Sequence, residues 1–161
     1  MALIVTLAPT VAWAQSTAIA KRAPSIELPA LNGGRVDLSK LRGHPVVISF
    51  WNTWCPPCRV EFPELIRIHS AYAADGLYVL AVNGRDQETS TKEVQRFVDH
   101  FIVPFPIALD TRGSVRRAYR LEGQPTTVFV DAEGMIRRMH TGRITPSELE
   151  EGVALIVPRI H

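Results

Sequence analysis

The feature that most constrains this chain is a pair of cysteines placed between an apolar run and a helical pattern. Its only two cysteines are Cys55 and Cys58, and two prolines separate them. The preceding run, residues 46–51, is continuous, apolar and rich in β-branched and aromatic side chains, which is typical of a strand buried on both faces. After the pair, apolar residues recur at helical spacing as far as Tyr72. The sequence therefore predicts a strand, a Cys-Pro-Pro-Cys turn and a helix in immediate succession.

The cysteine pair is better suited to redox chemistry than to holding the fold together. A bridge across two residues closes a very small loop, so by chain entropy it stabilises a fold little. Pro56 and Pro57 fit a first helical turn because their missing N–H groups cost nothing there. Cys55 then lies at the helix N-terminus, where unpaired N–H groups and the helix dipole favour a thiolate. Cys55 is predicted to be the exposed nucleophile, and Cys58 the more buried resolving thiol.

The neighbouring residues argue against metal and haem uses of the pair. A structural zinc site needs about four ligands, and no second Cys pair or His pair stands at a suitable spacing. Haem attachment requires Cys-x-x-Cys-His, but Arg59 occupies the last position. An inert structural bridge remains the alternative to the redox interpretation. We expect no metal and no cofactor other than a redox-active Cys55–Cys58 disulfide.

Charge and the first residues bear on partners and location. A formal net charge of +2 without runs of like charge gives no reason to expect nucleic acid as a partner. Residues 2–14 are apolar or small, carry no charge and end in Ala12-Trp13-Ala14, which is typical of a signal-peptide cleavage site. A buried N-terminal helix and an uncleaved anchor before Lys21 are the alternatives. We expect a periplasmic or otherwise extracytoplasmic protein, either free or tethered to the membrane by its N-terminus.

The rest of the chain alternates between strand and helix patterns. These patterns are a hairpin around Asn32-Gly33-Gly34, a strand over 77–82, a helix opened by a capping box at Ser90, two strands over 126–130 and 135–140, and a terminal helix opened at Thr145. Their order predicts an α/β fold with a central mixed β-sheet flanked by helices.

Three segments, residues 38–45, 50–63 and 123–131, resemble known proteins in the same order along the chain. Residues 50–63, Phe-Trp-Asn-Thr-Trp-Cys-Pro-Pro-Cys-Arg-Val-Glu-Phe-Pro, closely resemble the active site of TlpA/ResA/DsbE-type thioredoxin-like proteins, which are related to the AhpC/TSA redoxins. The other two segments are similar to this family's entry to its central strand and to its cis-proline segment.

The resemblance implies a thioredoxin-like fold with an N-terminal β-hairpin extension. The predicted organisation is a signal peptide or signal anchor over residues 1–14, a linker over 15–23 and a thioredoxin-like domain over 24–161.

The same resemblance implies an activity and a set of partners. It implies a protein-disulfide oxidoreductase that reduces disulfides of exported proteins, such as apocytochrome c during cytochrome c biogenesis, with electrons from a membrane thiol donor. Two alternatives stay open. One is a thiol peroxidase of the peroxiredoxin type, although Trp54-Cys55-Pro56-Pro57-Cys58 replaces the peroxiredoxin Thr-x-x-Cys. The other is a non-catalytic assembly chaperone that holds a partner's thiols.

The resemblance also assigns residues to the site. It implies that Pro125 packs against the cysteine pair in a cis peptide, and that Gln124 pairs with a substrate strand by β-augmentation. Trp54, Pro56 and Pro57 are expected to contribute to the substrate surface. Asp86, in the loop after the next strand, is the candidate proton-handling acid, because Ser49 replaces the buried Asp of thioredoxin itself. Arg59 and Glu61 are expected to be solvated charges on the helix.

Overall fold

In the computed structural model, which describes residues 21–157, the strand patterns form a six-stranded mixed sheet preceded by a two-stranded hairpin. The elements in chain order are β1 (Lys21–Arg22), β2 (Glu27–Pro29), β3 (Arg35–Asp37), β4 (Val46–Trp51), α1 (Pro56–Ala71), β5 (Tyr78–Asn83), α2 (Thr91–Phe101), β6 (Ile107–Leu109), α3 (Ser114–Ala118), β7 (Thr126–Val130), β8 (Met135–Thr141) and α4 (Pro146–Ala154). The predicted α/β architecture, with its N-terminal hairpin β2–β3, is confirmed.

Strand β4 lies inside the sheet, whose order is β1-β8-β7-β4-β5-β6. It pairs in parallel with β5 and antiparallel with β7. Because side chains alternate between the two faces of a strand, Val47 and Trp51 join one apolar layer, whereas Ile48 and Phe50 join the other. Helices α1, α2 and α4 cover the first layer, and α3 and the hairpin cover the second. This double coverage explains the uninterrupted apolar run that the sequence shows.

The sheet register brings two loops to one edge. Strand β4 ends at Trp51, and α1 begins at Pro56, so the cysteine pair lies just beyond the end of β4. Strand β7 runs the other way and starts at Thr126, which is the partner of Phe50. Pro125 therefore enters the sheet at the edge where Cys55 leaves it.

The start of the described chain differs from the predicted linker over residues 15–23. Lys21 and Arg22 form β1, which pairs antiparallel with Ile136 and Met135 of β8. Because both residues are basic and exposed, they show no alternation of apolar and polar side chains that would predict a strand. The strand is defined by its main-chain pairing with β8. The predicted signal segment over residues 1–14 lies outside the described residues. Within residues 21–157, none of the helices combines the length and apolar character required to cross a membrane.

Candidate active site

The Cys55–Cys58 disulfide is formed at the N-terminus of α1. Cys55 is the N-cap residue, and its Sγ accepts a hydrogen bond of 3.3 Å from the backbone N–H of Cys58. Because Pro56 and Pro57 have no N–H group, the Cys58 N–H is the first that the helix offers. The sequence thus directs the first free donor of α1 at the sulfur of Cys55, where it stabilises a thiolate once the disulfide is reduced.

The prediction that Cys55 is exposed is wrong for this oxidised state. Cys55 has 3% of its surface accessible and Cys58 has 1%. Both sulfurs belong to the apolar layer that contains Trp51 and Phe62, so the disulfide faces the core rather than the solvent. A position at the helix N-terminus predicts access for Cys55, but in the fold the residue is a buried member of the apolar layer.

The surface beside the disulfide is formed by its neighbours in the sequence. Trp54 has 57% of its surface exposed, and its indole Nε1 donates a 3.1 Å hydrogen bond to the backbone carbonyl of Gln87. Pro56 is exposed and Pro57 is half-buried. These residues form an apolar surface whose largest side chain, Trp54, is held by this hydrogen bond.

Pro125 is buried, and the Gln124–Pro125 peptide bond is cis, as the resemblance implies. The Pro125 carbonyl accepts a hydrogen bond of 2.8 Å from the Gly142 N–H. Gln124 is half-buried, and within residues 21–157 no hydrogen bond engages its main-chain N–H or carbonyl. Gln124 therefore keeps a main-chain donor and an acceptor that the described residues do not use.

Glu61 is not the solvated helix charge that we expect from the sequence. It lies one turn after Cys58 with 2% of its surface accessible, and Thr127 Oγ1 donates a 2.8 Å hydrogen bond to Glu61 Oε1. Burial raises the pKa of Glu61 to about 7, because the hydrogen bond from Thr127 only partly offsets the lost hydration. A carboxyl group with this pKa gains and loses protons near neutral pH.

Within residues 21–157, no hydrogen bond or ion pair connects Asp86 to either cysteine. Its carboxylate forms an ion pair with Arg116, 3.1 Å between Oδ2 and Nη2. Arg116 belongs to α3, which packs on the opposite layer from the disulfide. This ion pair offers Asp86 a structural role that does not involve sulfur chemistry.

Glu88, a residue that the sequence analysis does not single out, holds the segment that leads to Cys55. Its carboxylate is buried and accepts four hydrogen bonds. The donors are the backbone N–H of Thr53 at 2.7 Å, Thr53 Oγ1 at 2.6 Å, Asn83 Nδ2 at 2.8 Å and Asn52 Nδ2 at 3.0 Å. Glu88 therefore joins the end of β4 to the end of β5, directly beside the cysteine turn.

The sequence contains a signal for Glu61 but little for Glu88. Counting helical turns from Cys58 places Glu61 on the same face as Leu65 and Ile68, both fully buried. Two of the three residues bonded to its carboxylate, Asn52 and Thr53, lie more than 30 positions from Glu88 in the sequence. No local pattern therefore identifies Glu88. Its position depends on the pairing of β4 with β5.

The chain is similar to known proteins in sequence and in fold. Residues 19–139 match the model of the AhpC/TSA family. The thioredoxin-like protein YneN of Bacillus subtilis is 37% identical over 135 residues, which cover 84% of this chain and 78% of that protein. The thiol-disulfide oxidoreductase ResA of Halalkalibacterium halodurans is 36% identical over 138 residues, covering 86% and 77%. The crystal structure of a Chlorobium tepidum protein described as the thiol:disulfide interchange protein DsbE superimposes with a TM-score of 0.77 at 31% identity, covering 84% of this chain and 94% of that one.

A helix-capping cysteine pair beside a cis-proline loop defines a thioredoxin-fold enzyme that exchanges thiols and disulfides. The chain belongs to the AhpC/TSA family and, within it, is a thiol–disulfide oxidoreductase of the ResA/DsbE type. Its substrates are accordingly proteins that carry disulfides.

Proposed function

We propose that this oxidoreductase works outside the cytoplasm and reduces disulfides of exported proteins, with apocytochrome c as a candidate substrate. The observation that carries the thiol–disulfide exchange in this proposal is the hydrogen bond from the Cys58 N–H to the Cys55 sulfur, together with the Gln124 main chain, which makes no hydrogen bond within residues 21–157. The first feature favours an attacking thiolate, and the second offers an edge for a substrate strand. The apolar residues 2–14 and the likeness to ResA and DsbE support the location.

The proposed reaction moves two electrons in two exchanges. In the reduced protein, the Cys55 thiolate attacks one sulfur of the substrate disulfide, forms a mixed disulfide and releases the first substrate thiolate. Cys58 then attacks the Cys55 sulfur, which restores the Cys55–Cys58 disulfide and releases the second substrate thiolate. The substrate is reduced, the protein is oxidised, and a membrane thiol donor returns the two electrons. The disulfide is the only redox group that the proposal requires.

Cys58 must lose a proton before it attacks, and we assign that proton to Glu61. Glu61 stands one helical turn from Cys58, is buried, and has a pKa of about 7. A base whose pKa lies near the working pH combines a useful deprotonated fraction with a useful affinity for the proton. Asp86, engaged by Arg116, has no such position.

Equilibration with glutathione tests the direction of electron flow. The proposal expects a reduction potential nearer the reducing end of the range of such pairs, ~−270 mV, than the oxidising end, ~−120 mV. The fraction of Cys55–Cys58 disulfide is measured by acid quenching and thiol alkylation at a series of glutathione ratios. A strongly oxidising potential would overturn the reductase assignment. Rapid consumption of hydrogen peroxide by the reduced protein would favour the peroxidase instead.

A further inference from the structure

Gln87 contacts both sides of the surface next to the disulfide. Its backbone carbonyl accepts the 3.1 Å hydrogen bond from Trp54 Nε1, and its side-chain Oε1 accepts a 2.9 Å hydrogen bond from Gln124 Nε2. Trp54 precedes the cysteine pair, whereas Gln124 precedes Pro125. A single residue therefore joins two segments that are about 70 positions apart in the chain.

The loop that carries Gln87 is itself anchored. The Gln87 N–H donates to the carbonyl of Gly84 at 2.8 Å, and the same carbonyl accepts from Asn52 Nδ2 at 2.9 Å. The next residue, Glu88, is fixed by its four hydrogen bonds to the ends of β4 and β5. The side chain of Gln87 thus extends from a rigid support, which is the condition for holding another group in place.

The hydrogen bond from Gln124 to Gln87 holds the side chain of the residue whose main chain makes no hydrogen bond within residues 21–157. Fixing the Gln124 side chain restricts its rotamers next to a main-chain N–H and carbonyl that make no hydrogen bond within residues 21–157. Ordering that happens before binding lowers the entropy cost of binding an extended chain. A small disulfide does not use this edge and gains nothing from its order.

We propose that the side chain of Gln87 is a positioning group that holds Gln124 beside Trp54, so that these two residues together contact an extended, disulfide-bearing polypeptide. This inference rests on the proposed function and deepens it, because it places the selection of polypeptide over small disulfides in the loop after β5. Gln87 takes no part in the exchange of electrons.

The test compares Gln87→Ala with the unaltered full chain in rapid-mixing reactions of the reduced protein. The substrates are a ten-residue peptide with an internal Cys-x-x-Cys disulfide and the small molecule bis(2-hydroxyethyl) disulfide. We expect the half-saturating peptide concentration to rise about fivefold, the change that corresponds to ordering one otherwise free side chain on binding. The limiting rate, the rate with the small disulfide and the reduction potential should stay within twofold.

Two matched variants separate positioning from a general loss of structure. Gln87→Glu keeps an acceptor oxygen at the same reach and should restore peptide binding to within twofold. Gln95→Ala removes a comparable exposed hydrogen bond, 2.8 Å to Asp99 on α2, and should change nothing. In a double-mutant cycle, adding Gln87→Ala to Gln124→Ala should have no further effect on peptide binding.

An unchanged half-saturating concentration in Gln87→Ala would overturn the inference, and so would equal slowing with peptide and small disulfide. These outcomes are distinct from failure of the proposed function. If the protein proves to be an oxidant, the contacts of Trp54 and Gln124 are tested with the oxidised protein and the dithiol form of the peptide. The same comparison of variants then decides the role of Gln87.

Discussion

Thr127 Oγ1 donates a hydrogen bond of 2.8 Å to Glu61 Oε1 in a fully buried position. The bond connects the helix that begins at the cysteine pair with the strand that follows Pro125, so the two halves of the site share one acidic group. Because burial holds the pKa of Glu61 at about 7, the charge at this junction changes within the physiological range.

The first prediction concerns stability and pH. The pKa of Glu61 is raised from 4.5 to about 7 by folding, so the unfolded chain releases this proton first as the pH rises. The contribution of Glu61 to the free energy of unfolding is therefore fully present below pH 4.5. It falls by about 3 kcal/mol as the pH rises from 4.5 to about 7. We expect Glu61→Gln to remove this loss, as measured by urea unfolding of the oxidised protein at pH 4.5 and pH 8.

The control for this experiment is Glu133→Gln, which alters an exposed carboxylate in the turn between β7 and β8. It should leave the pH dependence unchanged. Carboxylates whose pKa is lowered in the fold, such as Asp131, titrate below this window and act in the opposite direction. An identical fall in stability between pH 4.5 and 8 with and without Glu61 would contradict the prediction.

The second prediction separates Asp86 from the redox site. Asp86→Asn removes a partly exposed ion pair with Arg116, and we expect a loss of at most about 1 kcal/mol in the free energy of unfolding. The rate of peptide-disulfide reduction between pH 5 and 9 should follow the unaltered protein, whereas Glu61→Gln should change the shape of that profile. A profile changed by Asp86→Asn and not by Glu61→Gln would restore Asp86 as the proton-handling acid.

The third prediction concerns the anchoring of the cysteine turn. Glu88→Ala leaves the N–H of Thr53 and the amides of Asn52 and Asn83 without their shared acceptor, and we expect it to cost about 3 kcal/mol of unfolding free energy. Urea unfolding measures the loss, and Glu133→Ala on the exposed turn should cost less than about 0.5 kcal/mol. Equal effects of the two variants would show that the buried network contributes nothing.

The fourth prediction assigns the two cysteines their separate tasks. In Cys58→Ser, the mixed disulfide formed by Cys55 cannot be resolved, so partner proteins should stay covalently attached. Cys55→Ser should trap few or none, because it lacks the sulfur that accepts the Cys58 N–H. Non-reducing electrophoresis of the exported fraction measures the adducts. Absence of adducts with Cys58→Ser would favour a non-catalytic binding module over the reductase.

The parts of the fold that sequence predicts best are those determined locally. The buried run 46–51, the Cys-Pro-Pro-Cys turn and the helix after it form where their patterns indicate, and the capping box at Thr145 opens α4. The burial of Cys55 does not follow from its place at a helix N-terminus, because it depends on how the apolar layer assembles from several elements. Glu61 departs from the expectation that a charged helix residue faces solvent, although its helical spacing from Cys58 places it on the buried face.

The short strand β1 and the bonds of Glu88 illustrate a different limit. Both depend on which strands become neighbours in the sheet, and neither Lys21 nor Glu88 lies in an apolar pattern that reports this. Hydrogen bonds between segments that are remote in sequence follow from the assembled sheet, so only the structure identifies them.

The burial of the disulfide has a consequence for the order of events in a reaction cycle. With 3% and 1% of their surfaces accessible in the oxidised protein, Cys55 and Cys58 expose little sulfur to the proposed substrate that takes electrons or to the proposed donor that returns them. Both proposed partners exchange disulfides with the same pair of sulfurs, so one excludes the other and they must react in turn. The two partners then bind alternately during the cycle, and an excess of either one slows the cycle because it competes with the other.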